Sequence, residues 1–406
     1  MRITRRNCDE KRKIIGMVTV SIAAVVGVFW ICLGEKVKML YTSLHSFKNE
    51  NLAHTFQHTP EIQPTKKISA GENPFFFLKE DNAILTEGFQ YDNVFYATEE
   101  FMEDTRTSAM LVIENDVIKY EKYFFGGEES SLFSSNSMGK SFVSALMGIA
   151  VAEGYVNSVE DPIGMYIPEF VGTELENIPI RACLKMASGI DFNEDKDMSG
   201  FSIRTLMGTP AMKVISQYGV QEEPYTYRRY LSINTEILGQ VITNATGRSL
   251  AEYMEEKLWK RIGAAHDAYW TLSNGTELAM GGLSVSLRDY ARFARLYLNG
   301  GSYNGVQVLE KEWVQDSMDI QEEYAKPGAN HDAYNAIGYG YQWWIPEGSQ
   351  GEFMAIGVYG QWIYVNPAKQ VIIVKTSADP DFTEPGYELK HVEFFRAIAE
   401  GISQAA

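Results

Sequence analysis

The sequence predicts an α+β fold, in which strands from both ends of a large domain form one antiparallel sheet flanked by helices and a mostly helical region is inserted between them. Two alternating runs near residue 106, SAMLVIEND and VIKYEKYFF, have the period of strands. Strand-like runs return at 338–346, 352–367 and 371–377. Between them, residues 155–280 hold proline-bounded turns and short helical patterns, which places this chain in the α+β class.

Each element has its own local signal. The first two strands flank Asn115 and Asp116, a pair that favours a tight turn, so they predict a β-hairpin. From Ser137 to Glu153 apolar residues recur at helical spacing and stop before a glycine, which predicts a buried helix. The run at 286–298 begins with a serine in capping-box spacing and predicts an amphipathic helix, and a last helix is expected at about 388–402.

The composition limits the class of protein. The chain has 406 residues, with 36 Lys+Arg against 53 Asp+Glu and a formal charge of -17. This length and the 45% hydrophobic content are ample for a buried core and exclude a disordered chain. Because a phosphate backbone repels an acidic surface, the charge argues against a nucleic-acid partner. Oligomeric state has no signal in the sequence.

The N-terminal region predicts a membrane anchor. Residues 14–34 contain a run without charge that is long enough to cross a bilayer, and the tail at 1–13 is rich in Arg and Lys. This pattern predicts a cytoplasmic tail, an uncleaved transmembrane helix and an exported remainder, in the periplasm or at the surface of a bacterial cell. Residues 35–75 are polar and aperiodic, which predicts a linker, and one large folded domain is expected at 76–406.

The residues that indicate chemistry are Ser137 and Lys140. They lie three apart at the predicted start of a helix, so the amine can lie beside the hydroxyl on one face. A serine hydroxyl is a weak nucleophile until a base accepts its proton, and a lysine is such a base when burial depresses its pKa. The pattern alone is weak, because an ordinary helix start with a solvated lysine has the same residues.

Further segments strengthen the interpretation. Several follow in a distinctive order: FSSNSMGKSFVSALMGIAVAEGYVNSVEDPIGMYIPEF, KMASGIDF, YLSINTEILGQVI, GGLSVSLRDYARFARLYLNGG, YGYQWWIP and GVYGQWIYVNP. Together they resemble the serine β-lactamase and penicillin-recognising family, in its class C-like branch, which includes 6-aminohexanoate-dimer hydrolases and carboxylesterases. The resemblance covers about residues 105–400 and implies a β-lactamase/transpeptidase-like fold. It also implies an acylated Ser137 with Lys140 as its base.

The resemblance extends to Tyr230, which matches the tyrosine of the family's Tyr-x-Asn motif and is implied to relay protons during acylation and deacylation. Two departures stand out. The third residue of that motif is Ser232, a shorter donor toward substrate than Asn. The Lys-Thr-Gly motif of β-lactamases aligns with Val358, Tyr359 and Gly360, which removes the lysine that pairs with a β-lactam carboxylate. Strong β-lactamase activity is therefore not expected.

The same strand is implied to complete the site. The resemblance implies an oxyanion hole formed by the backbone amides of Ser137 and of a residue of this strand, Gln361, which directly follows the Val-Tyr-Gly segment. Tyr359 and the tryptophans of the last strands are candidates for an apolar acyl pocket, although core packing explains them equally well; these tryptophans are Trp343, Trp344 and Trp362.

The predicted function is thus a membrane-anchored serine hydrolase that cleaves a small amide, ester or short peptide-like substrate through an acyl-serine, similar to 6-aminohexanoate-dimer hydrolases. No metal or organic cofactor is expected. The alternatives are a D-Ala-D-Ala peptidase or penicillin-binding protein, a weak class C-like β-lactamase, and a non-catalytic binding module on the same fold. A Ser-His-Asp hydrolase is disfavoured because no histidine lies in a recognisable motif and the nucleophile lacks the glycine that precedes a nucleophile elbow.

Overall fold

The structure, a computed structural model, describes residues 34, 45–80, 85–328, 336–348 and 350–405. The chain divides into two compact units, Met1–Lys48 and Asn49–Ala406, and the second unit carries the fold that follows. Within the described residues, no helix is both long enough and apolar enough to cross a membrane. The predicted anchor at 14–34 and the tail before it lie outside those residues, except for position 34.

The strands run along the whole second unit. In chain order they are β1 Thr65–Ile68, β2 Leu78–Lys79, β3 Gly88–Tyr91, β4 Val94–Ala97, β5 Thr107–Glu114, β6 Val117–Tyr123, β7 Leu132–Ser134, β8 Ala268–Ser273, β9 Thr276–Glu277, β10 Leu283–Ser286, β11 Ser302–Tyr303, β12 Val306–Gln307, β13 Gly338–Tyr339, β14 Trp344–Ile345, β15 Phe353–Gly357, β16 Gln361–Asn366 and β17 Val371–Ser377.

The helices lie mostly between the two groups of strands. They are α1 Leu52–Gln57, α2 Thr59–Ile62, α3 Thr98–Asp104, α4 Lys140–Ala152, α5 Ile180–Leu184, α6 Glu194–Leu206, α7 Ala211–Ile215, α8 Ser232–Thr246, α9 Leu250–Met254, α10 Leu287–Leu298, α11 Lys311–Ser317 and α12 Tyr387–Ala405. The expectation of a mostly helical middle is confirmed, with β8 and β9 as its extended part.

The main sheet joins both ends of the domain, as the sequence predicted. Among the described residues its strand order is β13-β14-β15-β16-β17-β5-β6-β2, and β17 pairs antiparallel with β5. Both central strands are buried along their length because each face is covered. Alternate residues enter two separate cores, Leu111 and Val374 on one face and Val112 and Ile373 on the other, where α12 packs.

The first hairpin and the long amphipathic helix have the predicted caps and turns. Asn115 and Asp116 both have positive φ, 50° and 63°, which is the twist that a two-residue hairpin between β5 and β6 needs. Ser286 caps α10, since its side chain accepts a hydrogen bond from the N–H of Asp289 at 3.2 Å.

The predicted linker at 35–75 is wrong over its second half. Residues 49–75 belong to the folded unit: α1 buries Leu52 and Phe56, and β1 pairs antiparallel with β8. The polar composition misled because β1 is an edge strand whose two lysines lie at the surface, where Lys66 pairs with Glu252 and Lys67 with Asp267, while Ile68 is buried.

A second sheet, with strand order β1-β8-β10-β7 and β9 paired to β8, positions the nucleophile. The chain leaves β7 beside β10 and turns at once into the segment that contains Ser137. The turn at 278–282, which precedes β10, packs against the same segment, since a Cβ at Gly281 would lie 3.0 Å from the carbonyl oxygen of Asn136. Ser137 therefore lies where the second sheet meets the helical region.

Candidate active site

Ser137 lies in a short 3-10 turn, Asn136–Gly139, that leads directly into α4. The turn is held by the preceding residue: the N–H of Ser135 donates to Leu283 O at 2.7 Å, and Ser135 Oγ accepts from Leu283 N at 3.1 Å. Asn136 has a φ of 45°, a conformation that few non-glycine residues adopt. Ser137 is half-buried, next to the buried Met138, and lies at the mouth of a pocket.

Lys140 is brought to Ser137 by the helix, as predicted. Its side chain is buried, and Nζ lies 2.7 Å from Ser137 Oγ and 2.6 Å from the carbonyl oxygen of Met280, to which it donates. Burial lowers the pKa of Lys140 to about 8, since the charged ammonium loses its hydration. An amine with that pKa is neutral in a large fraction of molecules near pH 8 and can then accept the proton of the serine.

Two carboxylates oppose that shift. Glu194 of α6 and Glu236 of α8 both favour the ammonium form and raise the pKa of Lys140 relative to burial alone. Burial in turn raises the pKa of Glu194, and it raises the pKa of Glu236 to about 7. Lys140 thus lies among buried acidic groups, and its pKa of about 8 is close to neutral pH.

Tyr230 lies beside the same pair, as the sequence predicted. The Lys140 ammonium lies 5.1 Å from the centroid of its ring, and the ring stacks on Trp344 at 5.4 Å. Tyr339 packs edge-on against its side at 6.1 Å. The aromatic neighbours fix the ring next to Ser137, with which it lines one pocket.

The pocket at Ser137 is small and mostly apolar. Its lining comes from the nucleophile turn, the segment before α8, β14, the end of β15 with the turn that follows it, and the start of α12 with the loop before it. It consists of Ser137, Tyr230, Trp344, Ile356, Gly357, Val358, Phe382, Tyr387 and Glu388. Among these described residues, Glu388 alone carries a formal charge. Burial raises the pKa of its carboxyl group.

The backbone of Gly357 touches the nucleophile turn. A Cβ at this position would lie 2.4 Å from Ser135 O and 3.1 Å from Met138 N, so only glycine permits the approach. Asn136 Nδ2 donates to Val358 O at 2.9 Å and ties the hairpin to the turn. The N–H groups of Ser137 and Val358 consequently belong to two backbone segments that meet at the pocket.

Gln361, predicted to supply the second oxyanion amide, lies elsewhere. It begins β16 opposite Gly357, is not among the pocket-lining residues, and buries a side chain whose Nε2 donates to Tyr359 O at 3.1 Å and Ser377 O at 2.8 Å. The reason is the three-residue turn 358–360 within the run that the sequence presented as one strand. The turn places residue 358, not 361, at the pocket.

Tyr359 and Gly360, the other two site residues predicted in this segment, do not line the pocket either. Tyr359 packs its ring on Phe56 and Phe382 outside the pocket lining. Gly360 has a φ of 82°, and a Cβ there would lie 2.7 Å from the hydroxyl oxygen of Tyr387. Both residues therefore shape the hairpin that carries Val358 rather than lining the pocket themselves.

Ser232, predicted to meet substrate, begins α8 and is buried. Its N–H donates to Glu194 Oε2 at 2.8 Å, so it holds a carboxylate that faces Lys140. Of the three tryptophans considered for the acyl pocket, only Trp344 lines it among the described residues. Trp343 packs on Phe293 and Trp362 stacks on His391, as core residues do.

Three groups around Lys140 were not predicted from the sequence, namely the carboxylates of Glu194 and Glu236 and the carbonyl oxygen of Met280. Glu236 follows Tyr230 by six positions and is the sole acidic residue of α8, directly before the apolar pair Ile237 and Leu238, and a lone acidic residue on such a helix is a usable signal. Glu194 and Met280 O had none, because their approach to Lys140 depends on tertiary packing. Within the described part of the chain, no three His, Cys, Asp or Glu side chains group as metal ligands would. The expectation that no cofactor takes part stays a prediction.

Comparison with known families gives a direct result. The family model described as Beta-lactamase matches residues 97–394, which is most of the chain. The chain belongs to the beta-lactamase family. Membership agrees with the α+β arrangement of sheets and helices and with the contact between Ser137, in the 3-10 turn before α4, and Lys140, the first residue of α4.

Two similar proteins carry the description of a 6-aminohexanoate-dimer hydrolase. The 6-aminohexanoate-dimer hydrolase of Paenarthrobacter ureafaciens is 27% identical over 298 residues, covering 70% of this chain and 75% of that protein. A Bacillus anthracis structure whose description proposes a 6-aminohexanoate-dimer hydrolase has a TM-score of 0.78 and 25% identity, and it covers 88% of this chain and 96% of that one.

A more distant relative is the teichoic acid D-alanine hydrolase of Staphylococcus aureus strain MRSA252, at 23% identity over 54% of this chain and 51% of that protein. A family VIII carboxylesterase shares the fold, with a TM-score of 0.57 and 14% identity. The family match and the similarity to 6-aminohexanoate-dimer hydrolases place the chain among the serine hydrolases of the beta-lactamase family.

Proposed function

We propose that the protein hydrolyses small amides or esters through an acyl-Ser137 intermediate, in the manner of 6-aminohexanoate-dimer hydrolases. One observation carries the proposal: a buried amine with a pKa of about 8 lies 2.7 Å from a serine hydroxyl at the mouth of a pocket. Neutral Lys140 accepts the proton of Ser137 while Oγ attacks the substrate carbonyl carbon.

The developing oxyanion is stabilised by the N–H groups of Ser137 and Val358. These groups belong to the two backbone segments that meet at Gly357. The leaving amine or alcohol takes its proton from the Lys140–Tyr230 pair, and the acyl-enzyme remains. A water molecule then attacks the ester carbonyl and its proton passes to the same pair. The bond between the carbonyl carbon and Oγ breaks, the pair returns a proton to Oγ, and the acid product leaves a free Ser137 hydroxyl. Each step uses only groups of this chain.

The experiment that tests the proposal is the intact mass of the full-length protein after brief reaction with p-nitrophenyl butyrate and an acid quench. We expect one butyryl adduct, which peptide mapping places on the segment that contains Ser137. Unreacted protein with no released nitrophenol would instead favour a binding module, and an adduct on another residue would contradict the mechanism.

The pocket also supports a proposal about substrate class. Glu388 is its charged lining residue, and a carboxylate in an apolar site favours a cationic or hydrogen-bond-donating group on the substrate. The names of the two curated relatives both specify amino-bearing molecules, 6-aminohexanoate and D-alanine. We therefore propose that this protein prefers acyl groups that carry an amine.

A matched substrate pair tests the preference. We expect Glu388→Gln to lower kcat/KM for 6-aminohexanoyl p-nitroanilide about 10- to 100-fold, the effect of losing one charged hydrogen bond, and to leave hexanoyl p-nitroanilide nearly unchanged. Glu384→Gln, an exposed acidic residue four positions earlier, is the control and should alter neither rate. Equal losses on both substrates in the Glu388 variant would exclude amine recognition.

We propose that residues 14–34 anchor the protein in a bacterial membrane with the hydrolase domain exported, on the strength of their uncharged run and the basic tail before it. Release of the full-length protein from membranes by alkaline carbonate would contradict it.

A further inference from the structure

The carboxylate of Glu236 is connected to Lys140, the proposed base, through the backbone of Met280. It is buried on α8, and Oε1 accepts a hydrogen bond from Met280 N at 3.0 Å, while the N–H of Ala279 also stabilises the ionised carboxylate. The carbonyl oxygen of Met280 accepts from Lys140 Nζ at 2.6 Å. One residue thus connects the carboxylate, through its N–H, with the lysine, through its C=O.

The turn that carries this connection is fixed from two sides. On the helix side, a Cβ at Gly239 would lie 2.5 Å from the Cβ of Ala279, so a larger residue would force α8 and the turn apart. On the sheet side, Trp270 Nε1 donates to Leu278 O at 2.9 Å and to Gly281 O at 3.0 Å. The carboxylate completes a rigid backbone support for the amine.

The charges around Lys140 come from several elements. Glu194 faces it from α6 and Glu236 from α8, the ring of Tyr230 lies 5.1 Å away, and Ser137 Oγ is in hydrogen-bond contact. In a site that excludes water, a carboxylate stabilises the nearby ammonium much more than it would at the surface. When one of these negative charges is removed, less electrostatic stabilisation of the ammonium remains to offset the effect of burial. Lys140 then loses its proton at a lower pH.

We propose that Glu236 is a positioning residue for acylation: its carboxylate fixes the 279–280 turn that holds the amine of Lys140, and its negative charge stabilises the protonated form of that amine. The role rests on the proposed function of Ser137 and Lys140. Among the described residues, Glu236 is not one of those that line the pocket containing Ser137. It acts through Lys140.

The test is a direct titration of Lys140 that needs no turnover. Full-length protein carrying Ser137→Ala is labelled with ¹³Cε-lysine, and the Lys140 resonance is assigned by its absence in Lys140→Arg. We expect Glu236→Gln to move the titration midpoint down by about one pH unit. Glu277→Gln is the control: Glu277 is equally buried and accepts from Ala251 N at 3.3 Å, so its loss should leave the midpoint unchanged.

A second variant covers the case in which Glu236→Gln does not fold. Glu236→Asp keeps the charge and should keep the midpoint, while its shorter side chain lowers the acylation rate of the Ser137-containing enzyme. An unmoved midpoint in Glu236→Gln, or an equal shift in Glu277→Gln or in Glu236→Asp, would overturn the inference. Failure of the proposed function has a different signature, namely a wild-type protein that forms no acyl adduct.

Discussion

Replacing Ser137 by alanine is expected to lower the rate of p-nitrophenyl butyrate hydrolysis about 10⁴-fold or more, to the level of the uncatalysed reaction plus residual binding effects. The physical reason is that the variant has no oxygen at the position 2.7 Å from Lys140 Nζ, so no covalent intermediate can form. Initial rates across a range of substrate concentrations measure the loss, and mass spectrometry should show no adduct.

A neighbouring serine provides the control for this loss. Ser141 lies four positions after Ser137, in the first turn of α4, is buried, and donates from Oγ to Gln342 O at 2.7 Å. Ser141→Ala should keep most of the activity, although it loses a buried hydrogen bond and some stability. If Ser137→Ala retained wild-type turnover, or if both serine variants lost activity equally, the acyl-serine mechanism would be wrong.

Lys140→Ala is expected to lower the acylation rate about 10³-fold, since the serine then has no base in contact with it. In the wild type, the amine accepts a proton only in its neutral form, so the rate should rise with pH and level off above about 8, the pKa to which burial lowers Lys140. In the variant the rise should disappear. Stopped-flow release of nitrophenol from pH 6 to 10 measures both effects.

Folding provides the check on this second variant. Removal of the buried amine takes away a desolvation penalty, but it also removes two hydrogen bonds and the positive charge near Glu194 and Glu236, so the unfolding temperature should fall. Circular dichroism should still show a folded protein at the assay temperature. Lys140→Arg tests the chemistry further, because guanidinium stays charged and cannot act as a base. A normal pH profile in either variant would show that another group accepts the serine proton.

The sequence predicted the elements whose signals are periodic or local. The hairpin at Asn115 and Asp116 and the capped helix after Ser286 are set by turn and cap chemistry within a few residues, and both were placed correctly. Ser137 and Lys140 were paired correctly for the same reason, because one helical turn fixes their spacing.

Features set by tertiary packing were not predictable in the same way. Which residue supplies the second amide of the oxyanion hole depends on the length of the turn between β15 and β16. Because this turn has three residues, Val358 lies at the pocket and Gln361 does not. A serine and a lysine in contact are also not sufficient by themselves. Lys375 Nζ donates to Ser377 Oγ at 2.6 Å in the buried core, yet neither residue is among those described as lining the pocket.

The pairing of β5 with β17 has a consequence for the timing of biosynthesis. Val112 and Ile373, which face each other at the centre of the main sheet, are separated by roughly 260 residues of chain. Ser137 and Lys140 leave the ribosome early, whereas Val358 and the strand that anchors its hairpin emerge only near the end. A nascent chain therefore carries a serine and its base for most of its synthesis without a pocket or an oxyanion site, and it gains them together when the last strands are added.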